Sequence, residues 1–167
     1  MATTNEVLLD AFGRIDEGVR GLLSSVPADH LNVRPGGVGN PIGWLVWHLL
    51  RVQDDHLSEI AEREQVWIAG GWYERLALPF PPAAHGYGFT SEQVDQTRFD
   101  GTDLLAGYQA GVQAMTVELL GGITSSRLDE IIDRRWDPPV TVAVRIVSVA
   151  EDCFQHLGQA NYVAGLL

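Results

Sequence analysis

Three side chains in two apolar segments have the types and the spacing of a metal site. His48 lies in WLVWHLL, the most apolar run of a predicted helix. Asp152 and His156 are four residues apart in a second apolar helical segment, so their side chains lie one turn apart on one face. Two imidazoles and one carboxylate give a divalent cation three ligands and leave one position open, as in catalytic zinc sites. The predicted metal ligands are therefore His48, Asp152 and His156.

Each half of this predicted site also has a simpler interpretation. A single histidine in an apolar helix is more often a hydrogen-bonded core residue than a ligand. The Asp152–His156 pair could equally be a hydrogen-bonded pair that faces solvent. The two halves support each other, because inward-facing polar side chains from two helices of a bundle can converge on one metal ion. A carboxylate buried among apolar residues is also costly unless it is paired or bound to a cation. Zinc, nickel, iron(II) and manganese all accept this ligand set.

Four other polar residues lie close to the predicted ligands in the sequence. Asp55 follows His48 by seven residues and is about 20° away around the helix, so it shares that face. Gln159 continues the stripe of Asp152 and His156 in the same way. His56 is expected to point elsewhere, into solvent or behind the ligands. Cys153 lies about 100° from the stripe and is expected to be a small core residue.

The tryptophans and two adjacent arginines are weaker candidates. Trp67 and Trp72 flank a Gly-Gly pair, so they could wall a pocket, although tryptophans are mostly core residues. Arg134 and Arg135 could contact an anionic substrate, but surface arginines are the commoner explanation. Neither a lysine-containing phosphate loop nor a nucleophilic serine elbow is present. The residues expected mainly in the core are Trp44, Trp47, Trp67, Trp72 and Trp136.

Four long helices must position these side chains. Apolar residues recur at helical spacing in each, and cap residues or prolines mark most of their ends. The candidate caps are Thr4 or Asn5 for the first helix and Thr102 for the third, with Gly121-Gly122 as a stop. The predicted ranges are Thr4 to Ser24, Asn40-Pro41 to about Glu64, Asp103 to Leu120, and near Thr141 to close to the C-terminus.

Two connections between these helices are long enough to hold structure of their own. Residues 65–101 contain a short helical candidate, SEQVDQTRF, and a connection of this length in a compact domain is usually functional or structured. Residues 129–140 are expected to contain a short extended piece. Convincing alternating strands are otherwise lacking, so we predict an all-α protein, an antiparallel four-helix bundle, with a long connector between the second and third helices. We expect one domain over residues 1–167.

Composition excludes several classes of protein. The chain has 167 residues, 46% of them hydrophobic and 20% charged, as in an ordinary globular protein. Its formal net charge of -11 argues against nucleic acid, which requires a basic face. The sequence has neither an apolar run that could span a bilayer nor the basic start of a secretory signal. A single cysteine excludes an internal disulfide, so we expect a cytoplasmic protein without a membrane or nucleic-acid partner.

Three segments of the chain resemble the DinB/YfiT-like superfamily of metalloenzymes. They are GNPIGWLVWHLLRVQDDH in the second helix, EDCFQHLGQANYVAGLL in the fourth, and REQVWIAGGWYERLALPF between them. Within that superfamily they are most similar to the mycothiol-dependent branch, which includes the N-terminal domain of maleylpyruvate isomerases and mycothiol S-transferases. Those isomerases carry a further C-terminal domain that is absent from this sequence.

The resemblance implies a fold, a ligand set and an activity. It implies a helical bundle, often a homodimer, with metal ligands at His48, Asp152 and His156. The isomerases have glutamate where this chain has Asp152, which is one methylene shorter. The implied activity is a metal-dependent transfer, with zinc or nickel, of a low-molecular-weight thiol such as mycothiol to a small electrophile. Asp55 and Gln159 would then not bind the metal themselves but would orient a ligating imidazole or a bound water by hydrogen bonding.

Two other functions remain compatible with the sequence. The same three ligands could activate a water molecule, which would make the protein a hydrolase or an isomerase. The bundle could also be a non-catalytic stress-response binding module, because a fold alone does not establish an activity.

Overall fold

The computed structural model describes residues 1–167 and is mostly helical. Two short 3₁₀ turns, Ala28–His30 and Pro35–Gly37, connect the first two helices. One antiparallel pair of short strands, β1 (Ile131–Asp133) and β2 (Val140–Thr141), precedes the last helix. The α-helices in chain order are α1 (Thr4–Ser25), α2 (Ile42–Ile60), α3 (Val66–Ala69), α4 (Trp72–Leu76), α5 (Ser91–Gln96), α6 (Asp103–Gly122), α7 (Ser125–Leu128) and α8 (Val142–Ala164).

The predicted helical fold class is confirmed, and the four long helices are α1, α2, α6 and α8. The ends of α1 and α2 differ slightly from the predicted ones. The cap of α1 is Thr3 rather than Thr4 or Asn5, because Thr3 and Glu6 form a reciprocal capping box. Pro41 occupies the cap position of α2 instead of its first turn. The helix ends at Ile60, before the predicted Glu64, and Glu62 has a positive φ of 54°.

The starts of α6 and α8 agree with the prediction, whereas the C-terminal end of α6 differs from it. Gly121 and Gly122 belong to α6, and the Thr102 side chain makes no capping hydrogen bond. Thr141 caps α8 by accepting a hydrogen bond from the backbone N–H of Val144. The expected extended piece between the third and fourth long helices is the β1–β2 hairpin.

The four long helices share one apolar core of 33 buried residues. Helix α2 packs against α8 and α6, and α1 packs against α6 and α8. The Asn5 side chain bonds the carbonyl of Leu120, while Asp16 accepts from Gln109, so α1 and α6 run in opposite directions. Helices α2 and α6 run in the same direction, since Arg51 contacts Tyr108 and Gln53 contacts Thr116. The predicted antiparallel arrangement is therefore wrong for this pair, and the long connector between the two helices permits the parallel one. None of the helices is both long and apolar enough to cross a membrane.

A buried carboxylate on α2 holds the start of the long connector. Asp54 is fully buried and accepts hydrogen bonds from the backbone N–H groups of Val66 (2.9 Å) and Trp67 (2.7 Å). It also accepts from the hydroxyl of Tyr108 on α6, at 2.8 Å. Its cationic partner is Arg51, with Nη1 3.6 Å from Asp54 Oδ2. Asp54 therefore joins α2, α3 and α6.

Arg51 holds the far part of the same connector. Its guanidinium is fully buried and donates to the carbonyl oxygens of Ala84 (3.2 Å) and Pro82 (3.4 Å). It also lies over the ring of Trp67, 5.0 Å from the centroid. A buried charge needs such partners because desolvation would otherwise make it very costly. The ion pair therefore fixes residues 82–84 one turn from His48.

We predict that Asp54→Ala destabilises the protein by about 3–5 kcal/mol, because Arg51 would remain buried without its counter-charge. Urea denaturation followed by circular dichroism measures this change. Asp10→Ala is the control, because Asp10 pairs with Arg14 on the exposed surface of α1 and its loss should have little effect. Equal effects of the two substitutions would contradict the role given to the buried pair.

Candidate metal centre

The structure brings the three predicted ligand residues together where α2 packs against α8. One donor atom from each of His48, Asp152 and His156 lies within 4.8 Å of the other two. The His156 Nε2 and Asp152 Oδ1 atoms are 3.6 Å apart, and the two imidazole centroids are 4.7 Å apart. His48 is buried, whereas the two residues of α8 are partly buried.

These donors fit a single divalent cation. Ligands about 2.0–2.1 Å from a tetrahedral zinc ion are about 3.4 Å from one another. The distance of 3.6 Å between the Asp152 and His156 donor atoms is already close to this value. Side-chain movements of about 1 Å would bring the His48 donor to the same distance from them. The second carboxylate oxygen, Asp152 Oδ2, is buried and has no hydrogen-bond partner. Such an orphaned anionic oxygen is costly unless a cation binds to it.

Two hydrogen bonds hold the imidazoles with Nε2 free to bind a metal. His48 Nδ1 donates to the backbone carbonyl of His85, and His156 Nδ1 lies 2.8 Å from the side-chain oxygen of Gln159. Because these oxygen atoms only accept, each Nδ1 carries the proton and each Nε2 keeps its lone pair. Orientation of a ligating histidine through its other nitrogen is the usual arrangement in metal sites. Gln159, on the same helical stripe, thus contacts His156 through the nitrogen that would not bind the metal.

The electrostatics of the cluster favour neutral His48 and ionised Asp152. Burial lowers the pKa of His48, so this imidazole is uncharged at neutral pH. Burial acts to raise the pKa of Asp152, but His156 and His48 outweigh it and the pKa is lowered. The carboxylate of Asp152 in turn raises the pKa of His156. In its neutral form His156 carries its proton on Nδ1, so a cation would bind at the free Nε2 atom beside this carboxylate.

A glycine allows the connector to approach His48. Gly86 has a φ of +96°, and a Cβ at this position would lie 2.8 Å from His48 Nδ1 and 3.1 Å from Trp44. Trp44 itself stacks on His48 with a centroid distance of 4.7 Å. The imidazole is thus held between an indole ring and the backbone of residues 85 and 86. Only glycine combines this backbone conformation with this close contact.

A cavity of about 500 Å³ opens beside the three residues. His48 and Asp152 form part of its wall, next to polar residues from α2, the connector and the hairpin. This volume is in the range of small-molecule sites. The remaining lining residues are Val52, Asp55, His56, His85, Tyr87 and Arg135.

Asp55 shares the face of His48, as its spacing predicted, but it does not contact either imidazole of the cluster. It accepts a hydrogen bond from Gln65 Nε2 at 2.5 Å, and its other oxygen lies 3.8 Å from His56 Nδ1. The structure therefore gives no support to Asp55 as the residue that orients a metal ligand. Its place in the cavity wall leaves it available to a bound molecule.

The weaker candidates mostly have structural positions. Trp67 and Trp72 do not line the cavity: Trp67 is buried, and Trp72 packs on Gly107. Trp136 is 65% exposed, so its predicted core position is wrong. Cys153 is a core residue as expected, and burial raises the pKa of its thiol. Arg135, unlike Arg134, lines the cavity.

Two features of the site were missed by sequence reasoning. The His85 carbonyl orients His48, but a backbone acceptor has no side-chain signature. The signal that could have indicated the close approach is Gly86 itself, in the segment HGYGF. The second feature is the contact between Arg145 on α8 and His56, whose Nη1 and Nδ1 atoms are 2.8 Å apart. Arg145 lies one helix turn after Thr141, the cap of α8, and was not singled out.

A helical fold in which α2 and α8 bring two histidines and one carboxylate together beside a cavity defines a class of candidate metalloproteins. The family model described as the DinB superfamily matches residues 11–160, and the chain belongs to this superfamily. The DinB part of the predicted resemblance is thereby confirmed. Its mycothiol-dependent branch stays a prediction.

A solved structure supports the same fold. It is a crystal structure described as the conserved protein of a locus from Enterococcus faecalis, with 28% sequence identity and a TM-score of 0.91. The similarity covers 98% of this chain and 96% of that one. No curated protein sequence matches this chain.

We predict that Gly86→Ala weakens zinc binding by about tenfold or more, because its Cβ would displace His48 or the His85 carbonyl that orients it. Competition with a chromophoric chelator measures the affinity. Gly88→Ala is the matched control: Gly88 also has a positive φ (+74°), but a Cβ there would meet open space. A similar loss of affinity in both variants would indicate backbone strain instead of the contact with His48.

Proposed function

We propose that this protein is a divalent-metal-dependent transferase that conjugates a low-molecular-weight thiol, such as mycothiol, to small electrophiles. The observation that carries the proposal is the three-residue cluster, which offers one carboxylate and two imidazoles beside a cavity of about 500 Å³ whose wall includes His48 and Asp152. Three protein ligands leave a coordination position for a small molecule. Membership of the DinB superfamily supports the metal-binding part of the proposal.

His48, Asp152 and His156 would hold the metal, with zinc or nickel as the best candidates. A divalent cation at this position would lower the pKa of a coordinated thiol or water and so provide a nucleophile at neutral pH. The chain's own residues prepare the site for this chemistry. The His85 carbonyl and Gln159 place the proton of each neutral imidazole on Nδ1 and leave Nε2 free, and Trp44 covers one face of His48.

The cavity gives the two reactants a common space. Its polar wall carries both signs of charge, with Asp55 and Arg135 among the lining residues. The carboxylate of Asp152 would offset one of the two charges of the cation and temper its Lewis acidity. A moderate Lewis acid suits a thiol, which ionises more readily than water. These features favour thiol transfer over activation of water at this site.

The metal-binding part is tested by His48→Ala and His156→Ala. Each variant should lose stoichiometric zinc and nickel, measured by elemental analysis after dialysis, because two ligands hold a cation far less tightly than three. Their helical circular dichroism should remain close to wild type, since bundle stability comes mainly from apolar packing. His30→Ala, in the 3₁₀ turn after α1, is the control and should retain the metal. A wild-type protein that stays empty at micromolar metal would favour a binding module without catalysis.

The transferase part is tested by conjugation of model electrophiles with mycothiol in the presence of zinc-loaded or nickel-loaded protein. The rate should exceed that of the thiol alone and should disappear in His156→Ala. If no metal and no electrophile gives a rate above the thiol alone, the transferase proposal is wrong. Turnover that does not depend on the thiol would instead identify a hydrolase or an isomerase.

A further inference from the structure

A second polar cluster borders the same cavity and joins the hairpin, α8 and α2. Asp133 of β1 lies 2.8 Å from Arg135 Nη2 and 3.5 Å from Arg145 Nη2. The other amino group of Arg145, Nη1, lies 2.8 Å from His56 Nδ1. Hydrogen bonds from Arg135 strongly lower the pKa of Asp133, which keeps its carboxylate ionised beside both arginines. Arg145 is thus held between an anion and the imidazole of His56.

This contact determines which nitrogen of His56 carries the proton. A guanidinium has only donors, so Nδ1 of His56 must accept and the proton must be on Nε2. Burial, followed by the charge of Arg145, lowers the pKa of His56, so the ring is uncharged at neutral pH. The hydrogen bond to Arg145 uses only Nδ1, and about a third of the His56 side chain, 33%, is exposed. Because His56 lines the cavity, Nε2–H is available to a molecule bound there.

His56 therefore differs from the two histidines of the metal cluster. In His48 and His156 the proton is on Nδ1, and the free Nε2 lone pair suits a cation. In His56 the arrangement is reversed, so the exposed nitrogen suits an acceptor atom. Charges of both signs lie near His56: Asp55 Oδ2 is 3.8 Å from its Nδ1, and Glu59 Oε2 is 3.6 Å from Arg145 Nη1. This environment favours a neutral acceptor over a free anion.

We propose that His56, held in its Nε2–H form by Arg145, is a ligand-binding residue that donates a hydrogen bond to a carbonyl oxygen of the small molecule bound at the metal cluster. The inference rests on the proposed function in one respect: the proposed function places the other end of that molecule at the metal cluster. It specifies the substrate class: a thiol or an electrophile that carries a carbonyl group. Asp133 and Arg145 are positioning residues, because they act through His56.

The tautomer is tested on the metal-free protein by ¹⁵N NMR of the histidine side chains. At neutral pH His56 should show a protonated Nε2 and an unprotonated Nδ1, and Arg145→Met should mix the two tautomers. N-methylacetamide, added as a carbonyl probe, should shift the His56 Nε2 resonance. A wild-type His56 that is protonated on Nδ1, or that does not respond to the amide, would overturn the inference whether or not a metal binds.

The role in binding is tested on cobalt-loaded protein with ω-mercaptoamides of increasing length and the alkanethiols that match them. The thiol-to-cobalt absorption band reports binding of each probe. At one chain length the amide should bind about tenfold more tightly than its alkanethiol, the gain expected of one hydrogen bond in a buried site. His56→Phe should abolish this gain without changing alkanethiol affinity. His56→Gln, which retains an N–H donor, should restore part of it.

Several outcomes separate the inference from the proposed function. If no thiol binds the cobalt protein, the thiol-transfer proposal fails, and the NMR measurement decides the inference. If thiols bind but His56→Phe leaves the amide preference unchanged, the inference fails and the proposed function stands. His30→Phe is the control for loss of a histidine outside the cavity and should behave as wild type.

Discussion

The buried ion pair between Arg51 and Asp54 is the interaction on which the rest of the site depends. Both side chains are inaccessible to solvent. Arg51 also donates hydrogen bonds to the long connector, and Asp54 accepts hydrogen bonds from the connector and from α6. A buried pair of this kind adds little net stability over an apolar one, but it strongly disfavours arrangements that separate the charges. It therefore fixes the connector on α2 and brings the His85 carbonyl to His48. The helices supply the metal ligands, and the connector determines how one of them is oriented.

The sequence allowed prediction of the helices and of the residues that converge, because both follow from periodicity. Asp152 and His156 share a face through their spacing of four, and His48 lies in the most apolar part of α2. An apolar face must pack inward, so polar residues on two such faces are brought together once the helices associate. The same reasoning placed Asp55 on the helix face of His48, and the structure shows both residues in the cavity wall. The superfamily motifs added the choice of helices, which periodicity alone does not supply.

The connector could not be predicted in the same way, since its structure depends on tertiary contacts. Asp54 and Asp55 are adjacent acids, and only the packing of α6 and α3 shows that Asp54 is the buried anchor. The orientation of His48 comes from a backbone carbonyl, and backbone groups are alike in every residue. The Arg145–His56 contact joins residues 89 positions apart on two helices. Whether these two side chains meet depends on how α2 and α8 are rotated relative to each other, and no local sequence pattern determines that rotation.

The shorter acid at position 152 is compatible with a metal because α2 and α8 approach each other closely. The distance between packed helices depends on the size of the side chains at their contact. Cys153 and Ala160 are small and fully buried residues of α8, and the Cys153 sulfur lies 3.6 Å from the Leu49 carbonyl on α2. With this close packing, an aspartate side chain is long enough to place a carboxylate oxygen within 4.8 Å of a His48 nitrogen. The length of the acid and the size of its buried neighbours are therefore expected to change together, because enlarging one without shortening the other would crowd the cluster.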